Sequence, residues 1–364
     1  MSKLDSNRLR TVTIITSLTI SLISCGGGST GTPDVPLVST QTGLEREIRK
    51  DLNDLSTDTD FTLLVKTDND RLFSHSIGSS TESVSYRSAS TSKLVTAAVI
   101  LSLVNDGILS FADNPQNYIA GWPTSGNLAA IQLRDLLNFT SGLENEPACI
   151  HLANSNIEDC VDNIRDQNTN SPIPGSEFFY SSAHMQVAGL MAIRASGLSS
   201  WDEVFDGFKT QTGLFTTSVF DLPSTQNPRL AGGMHWTASE YLDFLEALYN
   251  NTILSTALIQ QMFSDQISNA VVVSSPAING ITEDWHYGFG NWIECQTIPF
   301  NCTTTTKISS PGAYGAYPFI DFDNHYFGII AREGTLGSFS EGYAVFKTVE
   351  DKLVQWSRLD RNLD

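Results

Sequence analysis

An α+β fold, an antiparallel sheet flanked by helices with a mainly helical lobe inserted into it, is predicted by three observations. Helix and hairpin signals occupy residues 42–78, helical signals dominate 115–270, and strand signals return after 271 before a last helix. Ends that carry strands and a middle that carries helices build one core most simply if the two ends share a sheet. A chain of 364 residues, 40% hydrophobic and 17% charged, is long and apolar enough to bury such a core.

Each element has a local reason. In TGLEREIRKDLNDL, Thr42 followed three residues later by Glu45 reads as a capping box, and Leu44, Ile48, Leu52 and Leu55 recur at helical spacing. FTLLVKTDNDRLFSHSIG gives two short apolar runs about a polar TDND turn, the pattern of a hairpin. The segment after Lys93 is apolar nearly all round, as a buried helix must be, and Asn105-Asp106-Gly107 stops it. IQLRDLLNFTSGL, SSAHMQVAGLMAIRASG, TASEYLDFLEALYN and TALIQQMFSDQI supply the middle helices, the third with another capping box. WHYGFGNWIEC, YGAYPFIDFD and HYFGIIAREG are aromatic and β-branched and read as strands, with a tight turn at DFDNHY. Val345, Val349, Leu353 and Trp356 mark one face of the closing helix.

Charge and cysteines bound the setting. A net charge of -19, with 21 basic against 40 acidic residues, excludes nucleic acid as the natural partner. Lys3, Arg8 and Arg10 precede TVTIITSLTISLIS, too short and too polar to span a bilayer but suited to the core of a secretory signal. The segment ends in Leu22-Ile23-Ser24-Cys25, which resembles the lipobox of bacterial lipoproteins, whose Cys becomes the lipidated first residue. That resemblance implies an extracytoplasmic protein held to a membrane by a lipid on Cys25, with Gly26 fitting outer-membrane sorting. The expected organisation is a signal over 1–25, a flexible tether over 26–40 and one folded domain over 41–364. Within it, 41–114 and 271–364 form the sheet lobe and 115–270 the helical lobe.

With Cys25 acylated, Cys149, Cys160, Cys295 and Cys302 remain, and pairing near neighbours, 149 with 160 and 295 with 302, is the economical choice among three connectivities. Each bridge contributes about 2–3 kcal/mol by restricting the unfolded chain. The cysteine spacings and the six His match no metal-site pattern, and no cofactor is implied.

The chemistry is read from Ser90-Thr91-Ser92-Lys93, an S-x-x-K placed where a polar cluster meets the buried helix. A residue three positions on returns to the same helix face, so the Lys93 amine can approach the Ser90 hydroxyl. A cation in a first turn meets the positive end of the helix dipole at a cost of about 0.3–1 kcal/mol. The same field, with desolvation, lowers the amine's pKa and makes it a usable base. The bland alternative is an N-cap Ser beside a Lys that reaches solvent. Tyr180-Ser181-Ser182, after Pro-Gly and before a helix, is the second feature.

Together with NYIAGWP, IQLRDLLNFTSGL and AGGMHWTASEYLDFL, these residues resemble the serine hydrolases of the β-lactamase and penicillin-binding-protein superfamily, in particular the branch with family VIII carboxylesterases. The resemblance covers about residues 42–358 and implies a β-lactamase/transpeptidase-like fold. It makes Ser90 the acylated nucleophile, Lys93 its base and Tyr180 the proton relay to the leaving group, with Ser182 bonding substrate or Lys93. Where that family carries K-T-G or H-x-G, this chain has Ser310-Pro311-Gly312 followed by Ala313. The N–H groups of Ala313 and Ser90 would still form an oxyanion hole. Strand alternation turns Lys307 to the opposite face, so Ser310 is left as a neutral substrate donor. Without the charge-assisted bond that holds a substrate carboxylate, about 1.5–3 kcal/mol, a small neutral ester is the expected substrate. DD-peptidase or β-lactamase activity is the alternative within the class, and a catalytically silent binding module the alternative outside it. Gly27-Gly28-Ser29-Thr30-Gly31 spells G-x-S-x-G, but no strand precedes it and no helix follows, so it is not a nucleophile elbow.

Overall fold

The computed structural model describes residues 40–295 and 297–361. The signal, most of the tether and Cys25 lie outside the described residues. The first helix, α1 (Gln41–Asp54), turns Leu44, Ile48 and Leu52 into the core as their spacing predicts. Its cap differs from the expected one: Thr40, not Thr42, accepts the Gly43 N–H on its side-chain oxygen. The reason is tertiary. Glu45, which would complete a box with Thr42, is taken by the Trp356 indole at 3.0 Å and the Arg71 guanidinium at 2.6 Å.

The hairpin β1 (Phe61–Thr67) and β2 (Leu72–Ser76) forms as read, and β3 (Ser85–Arg87) leads into α2 (Ser92–Asn105), buried from Ser92 to Ser102. Then come α3 (Gly126–Ala130), α4 (Leu133–Leu137), α5 (Ile157–Gln167), β4 (Glu177–Phe179), α6 (Ala183–Ala195) and α7 (Trp201–Thr212). They are followed by β5 (Val219–Phe220), β6 (Met234–Thr237), α8 (Ala238–Tyr249), α9 (Thr256–Met262), β7 (Val271–Ser274) and α10 (Pro276–Ile281). The chain closes with β8 (His286–Tyr287), β9 (Trp292–Glu294), β10 (Lys307–Ser309), β11 (Tyr317–Asp321), β12 (Tyr326–Arg332) and α11 (Phe339–Asp360).

Seven strands make one antiparallel sheet in the order β2-β1-β12-β11-β10-β9-β8, so both ends of the chain share it. β1 pairs with β12 from Phe61 opposite Arg332 to Thr67 opposite Tyr326. Helices cover both faces because successive side chains alternate: on β12, Phe327 meets Tyr249 of α8, while Tyr326 packs with Phe319, which meets Phe346 of α11. Val345, Val349, Leu353 and Trp356 of α11 are buried, and α1 lies along that helix. Each such side chain contributes about 1.5–3 kcal/mol.

Although α8 falls between 115 and 270 in sequence, it packs on β12, β1 and β11. The stretch also holds β4, β5 and β6, strands too short to show a period-two pattern: β5 and β6 join β3 in a small sheet, and β4 pairs in parallel with β7. Cys149 is bonded to Cys160 and Cys295 to Cys302, as their spacing suggested. No helix among the described residues is long and apolar enough to cross a membrane.

Candidate active site

Ser90 sits in a single 3₁₀ turn, Ala89–Thr91, that runs straight into α2. Ala89 just before it adopts φ +45°, a region that costs a residue with a Cβ about 1–3 kcal/mol and persists only where neighbours enforce it. Those neighbours are identifiable. The Ser88 N–H donates to Met234 O at 2.9 Å, the Tyr241 hydroxyl to Thr91 O at 2.9 Å and the Trp236 indole to Thr91 Oγ1 at 2.8 Å. Gly312 closes from the sheet side: a Cβ there would fall 2.5 Å from Ser88 O, so only glycine lets the β10–β11 turn come this near.

Lys93 projects from the first turn of α2 onto Ser90. Its Nζ lies 2.9 Å from Ser90 Oγ and 2.9 Å from Ala231 O, and 4.6 Å above the Tyr180 ring. The side chain is buried, at 3% exposure. Burial lowers its pKa to about 7; the Arg229 guanidinium adds to the fall and the Glu146 carboxylate opposes it. The amine is therefore substantially neutral near physiological pH, which the alternative of a solvent-reaching Lys does not allow.

Tyr180 arrives between β4 and α6 and lines the same cavity as Ser90. It stacks on Trp292 at 5.2 Å between ring centroids and meets Phe139 edge-on at 5.5 Å. Burial pushes the phenol well above its usual range, so it is a proton donor rather than a standing anion. His184 fixes the approach to Tyr180: it bonds Phe179 O through Nε2 at 2.9 Å and Ser141 Oγ through Nδ1 at 2.7 Å. Since a carbonyl only accepts, Nε2 carries the proton and Nδ1 receives the Ser141 hydroxyl. Burial lowers the imidazole's pKa to about 4, keeping it neutral in this structural role.

The Ala313 N–H has no acceptor among the described residues, and Ser90 precedes the first bond of its turn, Thr91 N–H to Ser88 O. Both N–H groups are thus available to a developing oxyanion. The carbonyl of Ala313 accepts from Gly337 at 2.8 Å, which holds the peptide in place.

Two side chains lie otherwise than expected. The Ser310 hydroxyl donates to Ser90 O at 3.2 Å and braces the turn, because the tight approach allowed by Gly312 presses the strand end against it, and the cavity beside Ser90 is lined by Pro311 and Ala313 instead. Ser182 does not bond Lys93: its N–H donates to Glu146 Oε2 at 2.8 Å, and its hydroxyl also meets that carboxylate. The first N–H groups of a helix lack internal acceptors, and an anion satisfies them. Burial alone would raise the Glu146 pKa, but Ser182, Lys93 and His151 together hold it below the usual carboxylate range. His151 bridges Glu146 at 3.2 Å to Arg229 at 2.9 Å. Glu146, His151 and Arg229 escape sequence reasoning; one Glu among 40 acidic residues carries no periodic or motif signal.

Lys307 lies on the opposite sheet face, as alternation requires, with Nζ 2.9 Å from Glu294 and 2.6 Å from Glu350. Among the described residues no His, Cys, Asp and Glu cluster is arranged to hold a metal. Ser90 and Tyr180 open into a cavity of about 430 Å³ whose other walls include Ala313, Trp285, Trp292 and α10.

The Beta-lactamase family profile matches residues 61–336. Among solved structures, the chain is similar to a protein assigned as a beta-lactamase from Bacteroides dorei DSM 17855: 27% identity, TM-score 0.72, covering 86% of this chain and 99% of that one. It is also similar to EstCE1, described as a hydrolase with promiscuous acyltransferase activity (17% identity, TM-score 0.68, 86% and 98% covered). The D-amino acid amidase from Ochrobactrum anthropi SV3, complexed with L-phenylalanine amide, is a third (17% identity, TM-score 0.67, 87% and 99% covered). The last two, at 17% identity, bear on the fold alone. No curated protein matches the chain.

Proposed function

The chain belongs to the beta-lactamase family, and we propose that it is a serine hydrolase working through an acyl-enzyme on Ser90, a carboxylesterase for small neutral esters. The observation that carries the reading is the buried Lys93 amine, 2.9 Å from Ser90 Oγ with its pKa near 7. Neutral Lys93 takes the Ser90 proton as Oγ attacks the ester carbonyl, and the Ala313 and Ser90 N–H groups receive the oxyanion. Tyr180, protonated and on the same cavity wall as Ser90, passes a proton to the leaving alkoxide and is recharged from Lys93. Water then adds to the acyl-enzyme, and Ser90 is the leaving group of the second half.

A neutral ester is favoured over a carboxylate-bearing β-lactam or peptide by the charges. Ser310 is spent on Ser90 O, Lys307 is locked between two glutamates across the sheet, and no residue lining the cavity carries a formal charge. The expected outcome is intact-mass labelling of one residue, Ser90, by a fluorophosphonate, with ester turnover well above nitrocefin turnover and both lost in Ser90→Ala. Ester turnover surviving in Ser90→Ala would rule out this nucleophile, and nitrocefin as the better substrate would reassign the enzyme to β-lactams. Absence of labelling in a folded protein points instead to a binding module.

The lipobox reading makes the protein a lipoprotein anchored through Cys25, facing the periplasm or seated on the outer membrane. Detergent-phase partition of the full chain, lost in Cys25→Ala, is the expected result; a water-soluble parent would overturn it.

A further inference from the structure

The cavity beside Ser90 has walls of one chemical kind. Trp285, Trp292, Ala277 and Phe339 supply apolar surface, and beyond Ser90 and Tyr180 the polar side chains lining it are Ser274 and Asn279. Its outer wall, α10, is held against the start of α11 rather than hanging free. Gly280 lies so close to Phe339 that a Cβ there would fall 2.5 Å from the ring, and just past α10 the Tyr343 hydroxyl donates to Glu283 at 2.7 Å. Trp285 meets the Tyr343 ring edge-on at 5.3 Å, so the same latch fixes one of the two indoles. A preformed apolar cavity of about 430 Å³, within the range of small-molecule sites, selects its occupant by shape and hydrophobicity.

We propose that this cavity is a specificity subsite for one uncharged, apolar end of the ester, an aryl group or an unbranched chain of medium length, and that Ala277 and Phe339 set how long that end can be. The proposal rests on Ser90 being the nucleophile. Ala277 is the smallest wall residue on α10, 2% exposed, so a larger side chain there must occupy space that the substrate would fill. Phe339 caps the far side, held between α10 and the cavity. An ionised group placed in such walls would lose its hydration with no cation to replace it.

Two ester series test it by proton release: methyl esters of acids of increasing length, and acetates of alcohols of increasing length. One series is expected to gain about fourfold in kcat/KM per methylene up to a limit, and a terminal carboxylate on that same chain to cost about a hundredfold or more. Ala277→Phe is expected to compress the long-to-short ratio in the responsive series towards one, and Phe339→Ala to move the limit to longer chains. Fluorophosphonate labelling of Ser90 is read in every variant. If Ser90 labels and turns over esters but both series are flat, or the carboxylate-tipped ester is as good, the subsite is overturned while the hydrolase stands. If Ser90 neither labels nor turns over any ester, the hydrolase reading fails and the subsite with it.

Discussion

Lys93→Met is expected to give a protein that is inert at Ser90 yet more stable at neutral pH than its parent. Removing a positioned base costs about 10²–10⁴-fold in rate, so fluorophosphonate labelling should slow by about a thousandfold. The gain in stability follows from linkage. Folding lowers the Lys93 pKa from 10.5 to about 7, so between those values the unfolded chain holds more protons than the folded one, and folding weakens as pH falls through that window. The penalty is close to complete at pH 7 and absent above about pH 10.5. At about 1.4 kcal/mol per unit, less what is lost with the Ala231 O contact, Lys93→Met should unfold about 2–4 kcal/mol harder at pH 7, the difference closing as pH rises towards 10. Denaturant unfolding at both pH values checks this, and a variant less stable than the parent at pH 7 contradicts it. The parent's hydrolysis should rise through a midpoint near pH 7 as Lys93 loses its proton. Because Glu146 raises the Lys93 pKa, Glu146→Gln, which keeps an acceptor for the Ser182 N–H, should move that midpoint to lower pH.

The second large effect lies across the sheet. Lys307 has its ammonium between Glu294 and Glu350, and Tyr317 donates to Glu294 at 2.6 Å. Burial alone would depress the Lys307 pKa, but the two carboxylates outweigh it and raise it. In Lys307→Met the carboxylate of Glu294, a residue only 4% exposed, is left without its cation, and breaking a buried pair in this way costs about 3–5 kcal/mol. The loss should be largest at neutral pH. Glu350, whose folded pKa is depressed chiefly by Lys307 against the opposing effect of burial, contributes stability that disappears as pH falls through that depressed value. Urea unfolding at pH 7 and pH 4 measures the difference, and Ser90 labelling of the folded variant should persist. A neutral effect on stability, or a loss of labelling without a loss of stability, would show that Lys307 serves the cleft after all.

What could be read from the residues was whatever depends on near neighbours or strict alternation. Ser90 and Lys93 are three positions apart on one face, and Lys307 and Ser310 fall on opposite faces by counting along a strand. The buried run of α2 and the α11 stripe at Val345, Val349, Leu353 and Trp356 were equally plain. Contacts between distant parts of the chain were hidden. Thr42 reads as a cap with Glu45 along the chain, but Trp356 and Arg71 claim that carboxylate. The sequence assigns Ser182 to substrate or Lys93 because nothing along the chain says that Glu146, 36 residues earlier, reaches the start of α6. The strands β3, β5 and β6 were missed for a related reason: at two to four residues they are formed by their pairing and not by their own pattern.

The meeting of the chain's two ends bears on how the molecule carries load. Gln41 donates to Asp360 at 3.1 Å and to Trp356 O at 3.4 Å, so a pull arriving ahead of residue 41 is delivered to the last turns of α11. That point is about 30 Å along the 22-residue helix from Phe339. The turn bearing Ser90 is fastened to α8, beyond the sheet. A force applied at Thr40 would therefore fray the back of the protein first and leave the turn bearing Ser90 undisturbed.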